Sequence, residues 1–165
     1  MENTLAKLRN AKVFSKLDAN AGFWQCKLSE SSKLFTTFIT PVGRYCYNRL
    51  PFGITSGPEF FQEKIYGLLK GISGVECLMD DIIVYGENQE EHDKNLETVL
   101  SCLLKAGLTL NKEKCVFSQD QINFVGHRVG KDGITADPDK VEALLNMKEP
   151  TNVSEIRRFL EWLTS

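Results

Sequence analysis

The sequence predicts an α+β domain, a split β-α-β sheet with its helices on one face and a small extra hairpin. Three observations predict it. Runs of β-branched and aromatic residues alternate with two stretches of helical period. The order reads strand, hairpin, helix, strand-turn-strand, helix, then a small β unit. The 165 residues are 42% hydrophobic, 25% charged and 10% aromatic, enough for one ordinary core. The whole of 1–165 therefore reads as a single domain, without internal repeat or interdomain linker.

Val13 to Asp18 reads as a strand that ends on a polar residue, followed by a small-residue turn from Ala19 to Gly22 before Phe23 to Leu28. Phe35 to Thr40 and Arg44 to Leu50 form a hairpin over residues 35–50, joined by Pro41-Val42-Gly43. Pro58 opens a helix in which Phe61, Ile65, Leu68, Leu69 and Ile72 share a face, and Gly71 and Gly74 end it. Val75 to Met79 and Ile82 to Tyr85 are two apolar strands around Asp80-Asp81.

Gln89 to Ala106 is a second helix with Leu96, Val99, Leu100, Leu103 and Leu104 on one stripe and Gly107 as its stop. Cys115 to Ser118 and Ile122 to Val129 read as strands, with a turn at Gly130 to Gly133. A short helix from Pro138 points Val141, Leu144 and Leu145 inward. Asn152 to Glu155 has capping-box spacing and opens a last helix over 151–165.

Charge and cysteine usage narrow the function classes. Twenty basic and 22 acidic residues give a net charge of −2, so bulk charge alone does not hold this chain on a polynucleotide. Five cysteines without a C-x-x-C pair, and only His92 and His127 beside them, read as buried thiols rather than a zinc site. No apolar stretch reaches the roughly 18 to 20 residues of a membrane span, and the start lacks signal-peptide regions. An intracellular location, cytoplasmic or nuclear, with no membrane partner is expected.

Asp80-Asp81 places two carboxylates inside a run that otherwise wants burial. Adjacent like charges there take up a proton, find donors, or bind a cation. The dipeptide is equally good turn chemistry. Asp18 also ends an apolar strand and is followed by small residues. In a split β-α-β sheet the first strand and the central hairpin can lie side by side, bringing three carboxylates to one edge. Three acids without histidine suit Mg²⁺ or Mn²⁺, and such a site fits two-metal phosphoryl transfer.

Five segments now carry a family resemblance: Phe14-Ser15-Lys16-Leu17-Asp18, Leu50-Pro51-Phe52-Gly53-Ile54-Thr55, Leu78-Met79-Asp80-Asp81, Ala106 to Asn111 through Glu113-Lys114-Cys115, and Phe124-Val125-Gly126-His127. In order and spacing they resemble the successive palm motifs of reverse transcriptases, most of all those of gypsy-type LTR retrotransposon polyproteins. The resemblance implies a polymerase palm with part of the fingers, residues 35–50 being the fingers-like hairpin and 151–165 the start of a connection helix. It implies that Asp18, Asp80 and Asp81 bind two Mg²⁺ or Mn²⁺ ions, with Ala19 lending a backbone carbonyl. Phe23 is then the aromatic gate under the sugar, Phe52 and Gly53 pack against the incoming nucleotide, and Lys114 stands near the triphosphate. Met79, Gly126 and His127 fall on the primer side.

The implied activity is RNA-directed DNA polymerisation, transferring a dNTP onto a primer 3′-hydroxyl on an RNA or DNA template. The implied partners include further polyprotein regions: fingers strands, connection, RNase H and integrase. Leu78 departs from the tyrosine common before the acid pair, and Glu161 from the glycine usual after Phe-Leu. A second reading stands beside it: a catalytically inactive transposon-derived fragment that binds nucleic acid or protein.

Overall fold

The computed structural model describes residues 8, 10–78, 81–124, 126–131, 133–147, 150 and 152–164. It divides into two compact units, one up to Thr135 and one from Ala136 onward.

The first unit is built on a four-stranded antiparallel sheet of order β4-β5-β1-β6. Its strands are β1 (Val13–Asp18), β4 (Val75–Leu78), β5 (Asp81–Gly86) and β6 (Val116–Gln119). The two longest helices, α3 (Gly57–Leu69) and α4 (Gln89–Ala106), cover one face. This is the split β-α-β arrangement that the element order predicts. Alternation along β1 explains the faces. Leu17 packs with Ile82 and Val84 of β5 against Phe61, Ile65 and Leu69 of α3 and Val99 and Leu103 of α4. Phe14 and Ile83 point the other way, into a second cluster with Ile122, Phe124 and Val129.

Helix boundaries follow local chemistry. The Asn88 side chain accepts from the Glu91 N–H at 2.9 Å, and Glu90 and Glu91 lie in the first turn of α4, where the helix dipole favours acids. Gly107 closes the helix at φ 72°, a left-handed conformation that glycine adopts without a Cβ penalty. The stripes are narrower than the sequence period implies, because Leu68, Leu100 and Leu104 are exposed.

Several connections differ from expectation. Residues after the first turn form a short helix, α1 (Gly22–Gln25), and a second one, α2 (Glu30–Leu34), begins at Ser29, whose hydroxyl accepts from the Ser32 N–H. The extra hairpin is shorter than expected, β2 (Phe38–Thr40) and β3 (Gly43–Tyr45), because Phe35 to Thr37 turn back onto the end of α2 and Arg49 pairs with Lys27 instead. The run Ile122 to Val129 is a hairpin rather than one strand. β7 (Gln121–Phe124) pairs antiparallel with β8 (His127–Gly130), and Gly126 at the turn has φ 71°. β9 (Gly133–Ala136) completes a three-stranded sheet of order β7-β8-β9.

The five thiols are free, but none is fully buried: Cys46 is exposed and the others half-buried, with Cys26, Cys77 and Cys115 packed at the edge of the helix-side core. Burial still pushes the Cys26 and Cys77 thiols above their ordinary values. No helix among the described residues is long and apolar enough to cross a membrane.

The second unit holds α5 (Pro138–Leu145) and α6 (Val153–Thr164). The Asn152 cap is present, its Oδ1 accepting from the Glu155 N–H at 3.0 Å. Val141, Leu144 and Leu145 are exposed instead of inward, Leu145 at 79%. A unit of this size is too small to enclose an amphipathic stripe from both sides.

Candidate functional site

The pairing of β1 with β5 sets the site. Its register runs from Val13↔Gly86 to Asp18↔Asp81, so the two acids stand directly opposite each other at the end of the sheet. The Asp18 N–H donates to Cys115 Sγ at 3.4 Å and its carbonyl accepts from the Asn111 N–H at 2.9 Å. Both backbone groups of Asp18 therefore point away from β5, which makes Asp18 and Asp81 a non-hydrogen-bonded pair. In such pairs the Cα atoms approach to about 4.5 Å and the side chains share a face. That face is the one opposite the helices.

Two lysines neutralise the pair. Lys16 precedes Asp18 by one pleat repeat on the same face, and its Nζ lies 2.8 Å from Asp81 Oδ2. Lys114 Nζ lies 4.0 Å from Asp18 Oδ2 and is largely exposed. The donor set fits a hard divalent cation: two carboxylates in register, open to solvent, with oxygen ligands and no imidazole. Asp80 and Met79 lie outside the described residues, and among the described residues no cluster of three metal-ligating side chains is complete. Ala19 is buried, forms an antiparallel bridge with Leu110, and stands beside Asp18 as the motif requires.

Phe23 and Phe52 meet. Their ring centroids are 5.3 Å apart, and Phe23 also packs edge-on against the buried Phe61 at 5.6 Å. A backbone pairing joins them: Leu50 N–H donates to the Cys26 carbonyl and Leu28 N–H to that of Asn48, while Arg49 Nη1 donates to the carbonyls of Trp24 and Gln25. Phe52 is 64% exposed, and Gly53 follows it at φ 88°. A solvent-facing ring tilted 43° against a second ring packed on the core makes an exposed apolar surface.

Gly126 and His127 sit at the turn end of the β7–β8 hairpin. Ile122, Phe124 and Val129 of this hairpin pack on the same sheet face that carries Asp18 and Asp81. Of the expected site residues, Asp18, Asp81, Ala19 and Lys114 thus come together, Phe23 and Phe52 form a pair, and Gly126 and His127 lie on the hairpin of the acids' face.

Sequence reasoning missed Lys16, Gln25, Asn111 and Cys115. Lys16 was readable, since alternation alone puts residues 16 and 18 on one face. The other three bond main-chain groups, Gln25 and Cys115 with their side chains and Asn111 with its N–H, mostly across long sequence separations that no local pattern reports.

Comparison with known proteins bears on the family and the fold. A family model described as reverse transcriptase (RNA-dependent DNA polymerase) matches residues 1–129. The retrovirus-related Pol polyprotein from transposon opus of Drosophila melanogaster is 46% identical over 159 residues, 95% of this chain and 16% of the relative. That from transposon gypsy of the same organism is 36% identical over 94% of this chain and 15% of its own length. The chain thus spans about one sixth of these relatives. A solved foamy viral protease-reverse transcriptase in complex with an RNA/DNA hybrid aligns with TM-score 0.84 and 28% identity over 96% of this chain and 22% of that one.

Proposed function

The chain belongs to the reverse transcriptase (RNA-dependent DNA polymerase) family, and from that premise we propose that it carries the nucleotidyl-transfer site of an RNA-directed DNA polymerase within a longer polyprotein. The observation that carries the proposal is the register that sets Asp18 opposite Asp81. In this reading Asp18, Asp80, Asp81 and the Ala19 carbonyl hold two divalent ions, Mg²⁺ or Mn²⁺. When bound, such ions lower the pKa of an attacking hydroxyl and steady the charge on the leaving phosphate.

The remaining roles belong to the chain's own groups. Phe23 supports the deoxyribose and excludes a 2′-hydroxyl, while Phe52 and Gly53 pack against the nucleotide being added. Lys114, already facing Asp18, balances charge at the triphosphate. Met79, Gly126 and His127 hold the primer end toward the acids. The template is RNA or DNA paired to a primer, which the nucleic-acid complexes of the foamy viral relatives support. With a net charge of −2, gripping that duplex falls to local surfaces and to other polyprotein regions.

A primer-extension assay tests the reading. The chain, given Mg²⁺ or Mn²⁺, a primed RNA template and dNTPs, extends the primer, and Asp80→Asn or Asp81→Asn abolishes extension. Extension that persists in both variants overturns the assignment.

A further inference from the structure

We propose that Gln25 is a positioning residue for the metal-bearing turn, locking Asp18-Ala19-Asn20 to the segment that leads into Lys114. The inference rests on the reading of Asp18 as a metal ligand given above.

Gln25 ends α1, and its carboxamide is fully engaged. Nε2 donates to the Asn20 carbonyl at 2.6 Å and to the Thr109 carbonyl at 2.9 Å, while Oε1 accepts from the Thr109 N–H at 2.7 Å. Both amide hydrogens are used, and the two carbonyls fix which end of the amide faces them. A side chain thus pairs with both backbone groups of Thr109, as a neighbouring strand would.

The backbone continues the same zip. Asn20 N–H donates to the Thr109 carbonyl at 3.0 Å, Ala19 bridges Leu110, and Asn111 N–H donates to the Asp18 carbonyl. Lys114 N–H then returns to the Asn111 carbonyl at 3.1 Å, so the lysine is carried by the same turn. The acid turn needs such an anchor, because Ala21 sits at φ 47°, a left-handed conformation that residues with a Cβ disfavour. Gln25 ties down both sides at once: the turn through Asn20 and the Lys114 segment through Thr109. It touches neither acid, and acts through the backbone that orients them.

Gln25→Glu gives a sharp test, because it keeps size and shape but turns an oxygen toward two carbonyls. Protonation of that carboxyl at acid pH restores a donor; Gln25→Ala has nothing to restore. Mn²⁺ binding to the whole chain is measured by electron paramagnetic resonance at two pH values, each variant against the unsubstituted chain at the same pH, with Asp18→Asn as reference and circular dichroism as the check on folding. At neutral pH both Gln25 variants bind Mn²⁺ about 10-fold more weakly, the size of effect typical of groups that orient metal ligands. At acid pH Gln25→Glu recovers most of the deficit and Gln25→Ala does not. Gln25 variants that match the unsubstituted chain while Asp18→Asn loses Mn²⁺ overturn the inference alone. So does a loss in Gln25→Glu without recovery at acid pH, which marks mere fold support. Retention of Mn²⁺ by Asp18→Asn instead overturns the metal-site reading on which the inference stands.

Discussion

One face of one sheet holds two regions of opposite character. Phe14 near the start of β1, and Ile83 of β5, which pairs with Lys16 at mid-strand, are fully buried beneath Ile122, Phe124 and Val129 of the β7–β8 hairpin. Toward the end of β1, Lys16, Asp18 and Asp81 keep 26%, 18% and 27% of their side-chain surface exposed. The strands and their antiparallel pairing are common to both regions; only the covering differs. An apolar lid can close over phenylalanine and isoleucine at a gain, whereas closing it over carboxylates and their lysine partners strips every charge of water, a cost that ion pairing alone need not repay. The hairpin therefore seals the apolar part of the face and leaves the charged part in contact with solvent.

Substitutions at the two ends should separate along that line. The largest effect is expected at the open end: Asp18→Asn or Asp81→Asn lowers primer extension by at least about 100-fold, on the scale of losing a group that stabilises developing charge. Stability, followed by urea unfolding, shifts by no more than about 1 kcal/mol, because the lysine partners stay partly solvated. The sealed end should behave in the opposite way. Phe124→Ala costs about 3 to 5 kcal/mol in the same unfolding experiment, since Phe124 is almost wholly buried, yet it leaves Mn²⁺ binding by the folded protein unchanged.

A smaller effect is expected on the helix side of β1. Ser15 is buried, its hydroxyl donating to His92 Nε2 at 2.8 Å and accepting from the Ser118 N–H at 3.0 Å. The donor direction follows from the other ring nitrogen, Nδ1, which donates to Asp93 Oδ1 at 2.9 Å. That hydrogen bond holds the Asp93 carboxyl below its usual range. Ser118 has φ 49° at an irregularity of the β1–β6 pairing, so the serine satisfies an amide the ladder leaves out. Ser15→Ala leaves the buried His92 Nε2 unpaired, removes the acceptor of the Ser118 N–H, and costs about 1 to 3 kcal/mol by urea unfolding.

Much of this was legible in the letters. Strand β1 and the Asp80-Asp81 doublet follow from apolar runs that stop at acids, and α4 from its Asn88 cap and Gly107 stop. Element order allowed β1 to lie beside the central hairpin, since a split β-α-β sheet has few alternatives, and the register shows that it does. The extent of Ile122 to Val129 was misread, because a glycine inside a β-rich run marks either a bulge or a turn. Helix α1 was hidden because Ala21 enters it through a backbone conformation that alanine's identity does not advertise. The clamp of Gln25, Asn111 and Cys115 on the acid turn was out of reach, since its bonds to main-chain groups mostly join segments distant in sequence. The exposure of Leu104 and Leu145 was likewise invisible to a period that reports a stripe but not what covers it.

The most direct test of the account is nuclear magnetic resonance of the chain titrated with Mn²⁺, whose unpaired electrons broaden nearby amide signals. The signals of residues 17–19 and 81–82 should fade together, at one Mn²⁺ concentration, because Asp18 and Asp81 stand opposite each other and an ion held by either carboxylate lies close to both strands. Fading confined to one of these strands, or centred on Glu90 and Glu91 at the start of α4, would contradict it.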